Sequence, residues 1–161
     1  MDRDASIDFA KQYLEDLLSF FGLNTDVTAR CDDEEEVIEL SVPSTHLNGF
    51  LIGQRGETLR SLQFLLSMSL KNKEAVLTRV NIDVANYKHH RAERVAEQVK
   101  EWCKQVMDSG EPMSLKPMSP VDRRTAHRVV AEFPQLSSHS EGEGRDRYLV
   151  ISKSAASSEN I

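Results

Sequence analysis

Two glycines, Gly53 and Gly56, bracket a polar pair, Gln54 and Arg55, where an apolar approach (Leu47, Leu51, Ile52) gives way to a helical pattern from about Glu57. Glycine lets one backbone approach another closely, because no Cβ stands between them. A helix starting just beyond contributes N–H groups without intrahelical partners and the positive end of its dipole. Arg55 adds a guanidinium donor at the same place, and Gln54 a neutral polar contact. The chemistry these residues support is reversible capture of a phosphate. A G-x-x-G tetrapeptide recurs by chance in many chains. Its flanks make it specific here, because Leu59, Leu62, Leu65, Leu66 and Leu70 continue at the period of a helix.

A second set of residues has similar chemistry. In Arg123-Arg124-Thr125-Ala126-His127, Arg123 and His127 stand four apart and share one helix face, and Arg124 and Arg128 form a parallel pair. A guanidinium fork beside an imidazole, partly protonated near neutral pH, would hold a phosphate. The plainer reading is a solvated helix face whose arginines pair with Asp122 or Glu132. Arg145 and Arg147 follow a Ser/Gly/Glu stretch and return the chain beside this helix, which favours the phosphate reading.

Other candidates fail. His89 and His90 are adjacent, so they point to different sides of a helix, and no third ligand has suitable spacing. The acidic run 32–36 lacks the interleaved ligands and glycine of a calcium loop. Cys31 and Cys103 form no CxxC and read as reduced thiols. No GxSxG or HExxH motif is present. Trp102, at helical spacing with Val95 and Val99, reads as core. The expectation is therefore a binding protein with no cofactor, no metal and no catalytic centre.

The elements that must position these residues follow from periodicity. A helix is expected over 6–21, then strands over 25–31 and 37–42 joined by the acidic turn, with Pro43 ending the second. A short helix, 45–52, leads into the glycine turn, and a longer one, 57–72, leaves it. A third strand spans 76–84. The order is α-β-β-α-α-β. A long helix over 87–108 follows, then an apolar segment, Met113 to Leu115, as an edge strand. Ser119-Pro120 marks the next helix start, and Pro134 forbids continuation. Residues 137–144 read as a loop, and Arg147 to Ser152 as a strong strand. The fold class is mixed α/β.

The formal net charge is −6, which argues against a uniformly basic nucleic-acid binder. The charge is uneven, however. Residues 1–36 hold 11 acidic and 3 basic side chains, and the remainder 15 acidic and 17 basic. The acid thus lies apart from the phosphate-capturing candidates. Aromatic residues make up only 6% of the chain, so a surface of stacked rings is not expected. No secretory signal or long apolar run is present, and a cytoplasmic protein is expected.

Two motifs carry a family resemblance. The stretch Gly49-Phe50-Leu51-Ile52-Gly53-Gln54-Arg55-Gly56-Glu57-Thr58-Leu59, continuing through Ser61-Leu62-Gln63-Phe64-Leu65, resembles the KH segment of the Jag family, the SpoIIIJ-associated proteins of bacteria. Lys116-Pro117-Met118, Asp122 to His127, Ser140 to Gly144 and Arg147 to Ile151 resemble that family's R3H segment, named for an arginine and a histidine separated by three residues. The resemblance implies a prokaryotic-type KH domain over 1–85 and a small R3H α/β domain with a three-stranded sheet over 86–153, including the connecting long helix. A disordered tail over 154–161 is expected beyond them. Members commonly carry a further N-terminal Jag domain, which this chain is expected to lack, and many have lysine at the position of Gln54.

The function implied is binding of single-stranded RNA, with single-stranded DNA as a second substrate, by a post-transcriptional regulator or RNA chaperone. Gly53, Gln54, Arg55 and Gly56 would clamp the backbone, and Leu51 and Ile52 would support the bases. Arg123, His127, Arg145 and Arg147 would add phosphate contacts. The resemblance also allows pairing with a small single-KH protein. The rival reading is a protein-interaction adaptor of the same fold.

Overall fold

The computed structural model describes residues 1–155 and divides the chain into two compact units, Met1–Lys88 and His89–Ile161. Each is a small mixed α/β body with one three-stranded sheet.

The first unit follows the order read from the sequence: α1 (Arg3–Phe20), β1 (Thr28–Asp32), β2 (Val37–Val42), α2 (Asn48–Ile52), α3 (Glu57–Asn72) and β3 (Arg79–Val84). α1 starts earlier than its apolar pattern because the Asp2 carboxylate accepts the Ala5 N–H at 2.9 Å. The hairpin between β1 and β2 turns on Asp32, whose carboxylate accepts the N–H groups of Glu34 and Glu35 at 3.0 and 3.1 Å. β2 lies in the middle of the sheet, antiparallel to β1 and parallel to β3. The parallel pair needs a long crossover, and α2 and α3 supply it. Register then divides the residues by face. Ile38 opposite Val80, Leu40 opposite Ile82 and Val42 opposite Val84 are buried. Glu39 opposite Asn81 and Ser41 opposite Asp83 stand on the other face. Leu14, Leu18, Leu51, Leu66 and Leu70 close the core beneath the sheet.

In the second unit, α4 (Tyr87–Ser109), whose first two residues belong to the first unit, is followed by β4 (Met113–Ser114), α5 (Pro120–Ala131), β5 (Leu136–Glu141) and β6 (Tyr148–Lys153). The sheet order is β4-β6-β5, all antiparallel. Val95, Val99, Cys103 and Val106 of α4 pack with Ala126 and Val130 of α5 and with Leu149 and Ile151 of β6. Trp102 packs partly buried against the same core, as its spacing predicts.

One expected loop is a strand. Leu136–Glu141, Leu-Ser-Ser-His-Ser-Glu, pairs residue for residue with β6, from Leu136 opposite Lys153 to Glu141 opposite Tyr148. Its composition carries little strand propensity, and pairing with β6 overrides that. Strand β3 starts at Arg79 and α2 at Asn48, both later than expected. The tail expected over 154–161 lies, from residue 156, outside the described residues. Ser154 still donates its N–H to Gln135 O at 2.8 Å. Among the described residues no helix is long and apolar enough to cross a membrane, no cluster of side chains could hold a metal ion, and both cysteines are free.

Candidate nucleic-acid interface

The glycine turn is built by its backbone. α2 ends at Ile52, and Gly53 takes φ +69° as it donates its N–H to Gly49 O at 2.9 Å. A single 3-10 turn, Gln54–Gly56, follows, with Arg55 at φ +53° and Gly56 at +76°. Gly53 is required twice over. Its φ favours glycine, and a Cβ there would stand 2.1 Å from Thr58 Oγ1. At Gly56 space is adequate, with the Tyr87 ring 3.5 Å from a modest substituent, so the left-handed φ alone favours glycine. Arg55 bears the same conformation with a side chain, at about 1 kcal/mol. Gln54 and Arg55 are both exposed, and among the described residues no ion pair or hydrogen bond engages either side chain. α3 leaves the turn with no side-chain cap on its first N–H groups.

Leu51 does not do what was expected of it. It is 0% exposed and anchors α2 in the core, so it offers no surface to a base. Its neighbour Ile52 is only partly buried and keeps a face outside.

The sequence reading missed a groove of about 530 Å³ along the free edge of β3. Gln63, Ser67 and Lys71 of α3 line one side, and Arg79, Asn81 and Glu39 of the sheet line the other. Gln63 Oε1 accepts the edge N–H of Ile82 at 3.1 Å, and Lys88 Nζ donates to the same oxygen at 3.4 Å. Lys88 also donates to Asn81 Oδ1, while Asn81 Nδ2 donates to both Glu39 carboxylate oxygens at 3.1 Å. Desolvation lowers the pKa of Lys88, against the opposing pull of Asp83 and Glu39. A signal existed in the polar i, i+4, i+8 row at 63, 67 and 71, which shares one helix face.

The second candidate lies on α5. Ser119 Oγ accepts the Asp122 N–H at 3.2 Å and Pro120 takes the first helical position, as read from the sequence. The plainer pairing fails, because Asp122 is buried and bound to Arg91 of α4 at 2.9 Å. Arg123 instead donates from Nη1 to Met118 O at 2.6 Å. His127 meets Ser138 Oγ through Nδ1 at 2.8 Å and Ser140 Oγ through Nε2 at 3.1 Å. The alternation of β5 turns those two serines toward α5 and His139 away from it. His139 and Tyr148 both donate to Glu141, each at 2.8 Å, which lowers the Glu141 pKa and raises that of Tyr148.

This geometry corrects the expected charge of His127. Desolvation lowers its pKa from 6.5, and the charges of Arg123, Arg147 and His139 lower it further. Burial in the fold therefore favours the neutral imidazole over the protonated one. Arg123, His127 and Arg147 are close enough to sense one another, and Arg145 and Arg147 are exposed on the following loop. The face could hold a phosphate through guanidinium groups, with the neutral imidazole and its two serines as a fixed floor.

Comparison with known proteins finds a family match within the second unit. Residues 92–153 match the R3H domain. The RNA-binding protein KhpB of Clostridium symbiosum is 29% identical over 145 residues, covering 90% of this chain and 65% of that protein. The protein of the same name from Streptococcus pneumoniae serotype 2 (strain D39 / NCTC 7466) is 30% identical over 129 residues, 80% of this chain and 39% of that protein. The one from Bacillus subtilis (strain 168) is 28% identical over 145 residues, 89% of this chain and 68% of that protein. The chain thus spans 65% and 39% of the first two relatives' own lengths.

Proposed function

We propose that this chain, a member of the Jag family with an R3H domain in its second half, is a non-enzymatic protein that binds single-stranded RNA as a cytoplasmic post-transcriptional regulator or RNA chaperone. Residues 1–85 act as a prokaryotic-type KH domain. The α-β-β-α-α-β order, the parallel β2–β3 pair and the glycine turn between α2 and α3 support that assignment. Residues 86–153 act as the R3H domain with its connecting helix. The observation that carries the reading is the turn at Gly53–Gly56, which presents an exposed, unengaged Arg55 beside an uncapped helix start. Gly53, Gln54, Arg55 and Gly56 hold the RNA backbone, Ile52 contacts a base, and Arg123, His127, Arg145 and Arg147 form the second contact face. The names of the KhpB relatives point the same way. The same surfaces suit single-stranded DNA, whose backbone carries the same phosphates.

Titration of the protein into a fluorescent single-stranded RNA pool at two salt concentrations tests this. Salt-sensitive binding is expected, because phosphate contacts release counterions. The double variant Gln54→Asp with Arg55→Asp should lose that binding while keeping its circular dichroism spectrum.

A second reading has its own observation. Phe64, Leu65 and Met68 of α3 are exposed, at 64%, 49% and 38%. An apolar face of this kind suits a protein partner such as a small single-KH protein. If RNA binding is absent even at low salt, the adaptor role replaces the RNA-binding one.

A further inference from the structure

The polar groups joined to Gln63, which lines the β3 groove, are not symmetric in what they leave unspent. Gln63 Oε1 accepts from two donors, the Ile82 N–H and Lys88 Nζ. That double acceptance fixes the orientation of the amide, because reversing it would set an NH₂ against two donors. The Gln63 Nε2 group is therefore the free end, and no partner engages it among the described residues. The Lys88 ammonium has three donors, of which Asn81 Oδ1 and Gln63 Oε1 take two. Both Asn81 amide atoms are spent, one on Lys88 and one on Glu39. What remains at this spot is a pair of neighbouring donors held by a fixed network. Gln63 lies six residues into α3, about 9 Å along the helix axis from its start at Glu57 beside the glycine turn, within reach of a strand held there.

We infer that Lys88 and Gln63 form a base-reading subsite that selects guanine in the single strand held by the Gly53–Gly56 turn. The inference rests on the RNA-binding reading above and deepens it. Guanine offers two adjacent acceptors, O6 and N7, on one edge, whereas adenine puts an N6 donor beside N7. Adenine would set that donor against the ammonium. Uracil alternates acceptor and donor, with N3–H between O2 and O4, whereas cytosine has adjacent O2 and N3 acceptors, so the selection is against adenine and uracil. Lys88 and Gln63 act here as specificity-determining residues, while affinity common to all sequences comes from the turn.

The test uses the full chain and short fluorescent uridine oligomers with one central test base: guanosine, adenosine, uridine, inosine or 7-deazaguanosine. The guanosine and inosine oligomers should bind about fivefold or more tighter than the adenosine one, since a good paired contact discriminates at that level. Loss of N7 in 7-deazaguanosine should reduce the preference. Lys88→Met should level guanosine and adenosine while leaving binding of the all-uridine oligomer and its salt dependence unchanged. Lys88→Arg should retain the preference, which a merely structural lysine would not require. Equal binding of guanosine and adenosine by the parent, or a preference that survives Lys88→Met in a protein folded by circular dichroism, overturns the subsite. Failure of every oligomer to bind, at low salt, overturns the RNA reading itself.

Discussion

The turn at Gly53–Gly56 and the α5–β5 face around His127 draw on similar residue types, a cation beside a polar neighbour, yet they are built in opposite ways. In the turn the backbone does the shaping, and the side chains of Gln54 and Arg55 are left unengaged. On α5 the side chains do the shaping. Both His127 nitrogens are bonded to serines, and Arg123 is bonded to Met118 O. The first surface can be changed at its tip without touching the fold. In the second, each substitution alters binding and structure together. A motif that lists residue types does not distinguish these cases, whereas the count of donors already spent does.

Four experiments can break or sharpen this contrast. The largest effect is expected from Gly53→Ala, which combines a left-handed φ with a 2.1 Å approach to Thr58 Oγ1. It should cost about 2 kcal/mol or more in thermal unfolding and abolish RNA binding. Adding Thr58→Ala should recover only the part due to Oγ1, because the residue-58 Cβ and main-chain N would still stand 2.8 and 2.9 Å away. Recovery of full stability would show that the backbone conformation is not the constraint.

Next in size is Arg55→Ala. It should weaken binding to all sequences alike and reduce the slope of log affinity against log salt by about one, with no change in melting temperature. A drop in melting temperature would mean that the turn, like α5, relies on its side chains.

His127→Ala should lower stability by about 1 kcal/mol, measured by urea denaturation, through loss of the two serine contacts. A variant that weakens RNA binding with unchanged stability would show that His127 serves the ligand alone and undo the contrast.

The smallest effect concerns pH. The folded-state pKa of His127 is depressed below its ordinary 6.5, so the native state favours the neutral ring. Its contribution to stability is fully present above the unfolded value and is lost as pH falls from there toward the folded value. Between those limits the unfolded chain binds more protons, so stability rises with pH. His127→Gln should flatten that rise, read from melting temperatures across mildly acidic buffers.

Local signals made much of this legible from sequence. The α-β-β-α-α-β order follows from apolar periods, and the start of α5 from Ser119-Pro120, because caps and amphipathic faces are short-range properties. Leu51 was misjudged because its position beside the turn says nothing of which way it faces, and burial in the core decided that. β5 was missed because Ser137, Ser138, His139 and Ser140 have little strand propensity of their own and become a strand only by pairing with β6, beyond the 142–147 connection. The lowered pKa of His127 escaped the sequence for a related cause, since burial of the ring and the added charges of Arg123, Arg147 and His139 arise only when α5, β5 and the loop before β6 pack together. The network residues Gln63, Asn81 and Lys88 lie on three different elements, and only the packing of α3 against β3 and the turn from β3 into α4 bring them together.

The serine-rich strand has one more effect, on how copies of the chain behave in a crowded solution. β5 is an edge of its sheet, and an edge strand presents main-chain groups to any extended segment that drifts by. Sheets spread from edge to edge most readily where apolar, low-charge side chains can interlock across the seam. Between Leu136 and Gly142 this edge offers hydroxyls, an imidazole and a carboxylate, most of them already tied within their own unit. The composition that hid the strand from the sequence reading thus makes it a poor template for self-association.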